Sequence, residues 1–166
     1  MATHQAIAAV SATIRALIAG AAIPETAGAE FQVVNADSLQ SPMADGVAVF
    51  LYRVTVNSAA RNAVDLHYLV NACSADPIRQ QLLLGWAIHV LDATPILTAS
   101  VLNQHAPAPG VFQADERVEL AAEVLTIQDE ANVWNAVRAL QQPSAAYVAR
   151  GVRMAYALHP ASPRRG

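Results

Sequence analysis

Two long apolar segments joined by a short polar link constrain the fold of this chain more than any other feature. Val47–Val56 (VAVFLYRVTV) and Val64–Ala75 (VDLHYLVNACSA) are β-branched and aromatic along their length, the composition that suits a pleated, half-buried surface. The link between them, Asn57–Ala63, reads as the loop of an antiparallel hairpin. Side chains alternate along a strand, so Leu66, Tyr68, Val70 and Ala72 point one way. Asp65, His67, Leu69, Asn71 and Cys73 point the other. The first set is the expected core face.

Around this hairpin the pattern is mixed. Ile7, Val10, Ile14, Leu17 and Ile18 recur at steps of three and four, the signature of an amphipathic helix, and Gly20 and Pro24 end it. Phe31–Asn35 is a short strand and Ser41–Gly46 a turn. Asp76-Pro77 supplies an N-cap and a proline at the first helical position. The helix it opens carries Leu83, Trp86, Ala87, Val90 and Leu91 as its apolar stripe and stops before Pro95, which places Trp86 in the core. Val118–Leu125 is a strand, and Thr126 to Asp129 forms a capping box for a helix with Trp134 on its apolar side. Ala145–Leu158 is the last strand.

Thr98–Arg117 reads as a loop of about 20 residues, with Pro107, Pro109 and Gly110. Val111 and Phe112 are expected to be left in water by a lone subunit and to order against a partner. The whole is an α+β domain over residues 1–158. It is expected to have a mainly antiparallel sheet of about four or five strands and about three helices on one face. Residues 159–166 (HPASPRRG) read as a disordered basic tail.

Composition excludes several functions. All ten basic residues are arginine, so no lysine can form a Schiff base or a P-loop contact. A net charge of −3 does not suit a nucleic-acid surface. Cys73 has no cysteine partner, so nothing demands an oxidising compartment. No segment reaches the ~20 apolar residues of a membrane span, and Arg15 interrupts the apolar start. Folding in the cytoplasm is expected.

A search for chemistry finds little. Asp65 and His67 could form a dyad, but Cys73 on the same face lies roughly 20 Å along the strand, too far to serve as its nucleophile. His4, His67, His89, His105 and His159 show no metal-ligand spacing. Glu119 and Glu123 read as a solvated strand edge. Neither catalysis nor a metal or other cofactor is expected.

The segments in order say more than any one of them. They are the helix Ile7–Ile18, Phe50–Val54 (FLYRV), Val64–Ala72 with its DLHYLV run, and Leu83–Leu97, which opens LLG and ends in a proline step. The helix Ile127–Leu140 with Trp134 and the segment Pro143–Arg153 (PSAAYVARGVR) complete the set. Together they resemble the tube terminator or cap proteins of contractile injection systems, the phage-tail-like particles. Gln142 stands where a basic residue often precedes the Pro-Ser step, and Thr98–Arg117 is longer and richer in proline than that layout.

The resemblance implies a tail-terminator-like fold without enzymatic activity and a homohexameric ring on the inner tube, touching the sheath. It also implies that such a ring closes the distal end, fixes tube length and anchors the sheath within an assembled particle. Arg53, Arg150, Arg153, Val111 and Phe112 are the expected contacts with the subunit, tube or sheath, and the strands Val118–Leu125 and Ala145–Leu158 are expected sheet edges. Two other readings remain open: a small adaptor or assembly chaperone, and a hydrolase built on Asp65 and His67.

Overall fold

A computed structural model describes residues 4–60 and 62–154. In chain order the elements are α1 (Ala6–Gly20), a 3₁₀ turn (Pro24–Thr26), β1 (Glu30–Val34), α2 (Ala36–Gln40), β2 (Asp45–Val56) and β3 (Ala63–Ser74). They continue with α3 (Pro77–Asp92), β4 (Ile96–Thr98), α4 (Ala99–Gln104), β5 (Arg117–Glu123), α5 (Ile127–Ala136) and β6 (Ser144–Arg153). The strands form one six-stranded sheet in the order β1-β2-β3-β6-β5-β4.

The hairpin is as expected: β2 and β3 pair antiparallel from Asp45↔Ser74 to Val56↔Val64. The expected antiparallel pattern breaks at the first strand, and the sheet has six strands rather than four or five. β1 runs parallel to β2, because α2 reverses the chain between them, and the sheet is mixed. Asn35 starts that short helix by accepting a hydrogen bond from the Ser38 N–H at 3.0 Å. The following turn is shorter than expected, since Asp45 and Gly46 already belong to β2. Gly46 must be glycine for packing reasons: a Cβ there would collide with the Glu30 carbonyl of the neighbouring β1 and with Met43.

Helices cover both faces of the sheet rather than one. On the larger face α1, α3 and α4 bury Val10, Ile14, Leu83, Leu91 and Leu102 against Leu66, Tyr68 and Val70 of β3. The alternation in β3 therefore points as expected. The opposite face holds a smaller cluster, in which Trp134 of α5 and Leu39 of α2 close over Phe50 and Leu69. Leu69 alternates with His67 and Asn71 on its own side of β3, yet with Phe50 beside it on β2 this face too carries apolar surface that water would disfavour.

The segment expected to be a loop is largely built into the domain. It contains β4 and α4, and Val111 and Phe112 are 2% and 4% exposed. Asn103 is the reason the chain folds back there. Its side chain donates to the Phe112 carbonyl (2.8 Å) and accepts from the Phe112 N–H (2.9 Å), so one amide replaces a strand partner. Pro107, Pro109 and Gly110 lie inside the excursion that this clamp closes. Val111 and Phe112 are therefore core residues and not surface contacts of a free subunit.

Trp86 also departs from expectation. Leu83, Ala87, Val90 and Leu91 are buried, whereas Trp86 is half-buried on the outer side of α3 and packs against His89 with ring centroids 5.7 Å apart. α3 is apolar on several sides, so periodicity alone did not single out the buried one. The β6 strand runs to Arg153; its expected extension to Leu158 and the tail 159–166 lie outside the described residues.

Candidate functional site

The arrangement closest to a chemical site lies on the smaller sheet face. His67 Nε2 is 2.9 Å from Thr55 Oγ1, and His67 Nδ1 is 3.0 Å from both carboxylate oxygens of Glu123. Tyr52 donates its phenol proton to the same carboxylate at 3.1 Å and lies edge-on to the imidazole. Three strands contribute: β2 (Tyr52, Thr55), β3 (His67) and β5 (Glu123). β6 runs between β3 and β5, and its Ala146, opposite both Leu69 and Glu123, is small enough for side chains to meet above it. Burial, then the charge of Glu123, pushes the Tyr52 phenol above its usual pKa.

A hydroxyl, an imidazole and a carboxylate in line have the connectivity of a hydrolase relay. The setting differs. Both imidazole nitrogens are occupied by strand neighbours and His67 is 8% exposed, so no ring edge is left to meet a substrate. The arrangement staples the last residue of β5 to the hairpin.

Asp65 is not the partner of His67. Its carboxylate accepts from Asn57 Nδ2 (3.0 Å) and from the backbone N–H of Gly151 (2.9 Å). The β3–β6 register shifts here, between Val64 and Leu66, and Gly151 takes φ +74°. That left-handed conformation favours glycine, and Asp65 binds an N–H displaced from the ladder.

The expected contact residues are not gathered into one patch. Arg53 is exposed beside the β2–β3 irregularity, opposite His67. Arg150 pairs with Glu119 across β5–β6 at 3.2 Å, both about half exposed, a geometry in which water screens most of the attraction. Arg153 is exposed and lines a cleft of about 270 Å³ with Arg117, Asp115 and Glu116; Phe112 reaches its wall from the core. Sequence reasoning missed the ridge Ile78–Leu82–Trp86 on α3, where Ile78 is 71% exposed. Its spacing of four was the available signal. Val124 and Ile127, 97% and 85% exposed where β5 leads into α5, were missed as well. Of the two expected sheet edges, β6 is interior, and β5 is covered only along part of its length.

The family model of the Pvc16 N-terminal domain matches residues 9–165. This chain belongs to the Pvc16 N-terminal domain family. The terminator family named from the ordered segments is thereby the family found. Two solved structures share the fold. One is a PVC sheath/tube terminator in the extended state, from an extracellular contractile injection system, matched with a TM-score of 0.56 and 14% identity over 100% of this chain and 65% of that one. The other is the tube-terminating cap of the anti-feeding prophage, with a TM-score of 0.52 and 12% identity over 90% of this chain and 54% of that one. The chain thus spans between about half and two thirds of the length of these terminators. No curated protein matches it. Among the described residues there is no group of three or more His, Cys, Asp or Glu side chains that could hold a metal ion. No helix among them is long and apolar enough to cross a membrane.

Proposed function

We propose that this Pvc16-family domain is a structural terminator that closes the distal end of the inner tube of a contractile injection system. In this reading it forms a homohexameric ring on the last tube ring, fixes tube length and anchors the sheath, without enzymatic activity. The observation that carries the proposal is the family match over nearly the whole chain, supported by the fold shared with two terminators. A ring suits the task because closed cyclic symmetry saturates its own contacts and stops growth.

Arg53, Arg150 and Arg153 remain the proposed charged contacts, since an exposed guanidinium can turn from water to a partner carboxylate with little rearrangement. Electron microscopy of particles from a deletion strain tests the function. Tubes of irregular length with detached sheath are expected; tubes of uniform length with sheath anchored would overturn the reading.

A further inference from the structure

The outer side of β5 is covered only in part. β4 pairs with Arg117–Glu119, and the Pro95 carbonyl accepts from the Leu120 N–H at 2.9 Å. Beyond Leu120 no described strand pairs with β5 on that side. Backbone groups alternate sides along a strand. Because Leu120 presents its N–H outward, so do Ala122 and Val124. Ala122 is exposed and Val124 is 97% exposed, which leaves a short open edge ending in an apolar side chain.

This edge borders a cleft of about 380 Å³ whose walls include Ile88 and Asp92 of α3, Tyr147 of β6 and Glu130 of α5. The cleft carries uncompensated negative charge. Asp92 accepts from the Tyr147 hydroxyl at 2.8 Å and Glu130 from Ser144, both neutral donors. Glu123, also on the wall, is held by His67 and Tyr52. Among the described residues no arginine lines this cleft.

From these observations we infer that the open half of β5 docks an extended, arginine- or lysine-bearing segment of another polypeptide chain. The segment adds as a strand along Ala122–Val124 and directs a basic side chain into the cleft that Asp92 and Glu130 line. Backbone pairing supplies affinity in this mode, and the carboxylates select charge. The inference goes beyond the capping reading and stands without it, since it needs only the isolated domain.

The test uses the full chain and fluorescein-labelled peptides read by fluorescence anisotropy. The probe is an acetylated Val-Arg-Val-Arg-Val amide; its Val-Glu-Val-Glu-Val counterpart and an N-methylated version that cannot pair are the controls. The arginine peptide should bind and both controls should fail. Ala122→Pro removes only an outward N–H and should weaken binding about tenfold or more, as should Asp92→Asn combined with Glu130→Gln. If Ala122→Pro does not fold by circular dichroism, Val124→Pro makes the same test at a nearly fully exposed position. Equal binding of the two charged peptides, or binding insensitive to a proline variant that folds, would overturn the inference. So would no binding at all. Self-association abolished by the proline but not competed by the arginine peptide would overturn it in favour of a second copy of this chain.

Discussion

The two faces of the sheet are built on different principles. On the larger face three helices and the clamped segment around Phe112 contribute many buried side chains to one cluster. On the smaller face one tryptophan, with Leu39, closes over Phe50 and Leu69, beside a polar staple of Tyr52, Thr55, His67 and Glu123. Redundant packing spreads the effect of a deletion over neighbours that can partly relax. A cluster with one large residue at its centre concentrates it.

The sharpest way to break this comparison is the pair of tryptophans. Trp134→Ala should destabilise by about 3–5 kcal/mol, the range for large-to-small changes in a core. Trp86→Ala, on the half-exposed outer side of α3, should lose clearly less. Urea unfolding of both variants is the measurement, and a larger loss at Trp86 would mean that the smaller face is not held as described.

Alkaline titration probes both faces together. Burial raises the phenol pKa of Tyr68 and Tyr147 on the larger face and of Tyr52 on the smaller one above the usual value near 10. A hydrogen bond to Asp92 adds to the rise at Tyr147, and the nearby Glu123 charge adds to it at Tyr52. The folded chain therefore keeps these protons longer than the unfolded chain. Their stabilisation is whole below about pH 10 and is lost as pH rises beyond it. Thermal melts from pH 8 to 11 should show a fall in Tm that Tyr68→Phe reduces. An unchanged alkaline profile in that variant would show that Tyr68 is not the buried phenol it is taken to be.

His67→Ala should have a smaller effect, about 1–3 kcal/mol, because it leaves Glu123 without its imidazole partner in a half-buried setting. Amide hydrogen exchange should then quicken in β5 and the start of α5 while β2 and β3 stay protected. Uniform quickening would sink the staple. The smallest effect is expected at Asp45, where the Arg79 guanidinium holds the carboxyl below its usual range across a partly exposed ion pair of 2.8 Å. A depressed pKa stabilises above the unfolded value and is lost as pH falls through the folded one. Asp45→Asn should therefore lower neutral stability slightly and flatten the acid limb by the same small amount, as urea unfolding from about pH 2 to 7 would show.

Local chemistry was legible wherever a few adjacent residues sufficed. The hairpin, the core-facing side of β3 and the N-caps at Asp76 and Thr126 follow from alternation and capping alone, and the structure has each of them. So does the assignment of Trp134 to a core, since α5 has one clear apolar side. The family, too, was legible, because it lies in the order of segments rather than in any one residue.

Residues whose partners are distant in sequence owe their roles to packing instead. Val111 and Phe112 look like loop residues until Asn103, nine residues earlier, is seen to bind both backbone groups of Phe112. His67 looks like half of a dyad with Asp65 until the sheet brings Glu123 to it from 56 residues away. The edges of the sheet depend on strand order, which the crossover through α2 and the interior position of β6 set. Periodicity records which side of an element is apolar. It does not record which of two apolar sides meets the larger core, and that choice rests on the packing of whole elements against one another.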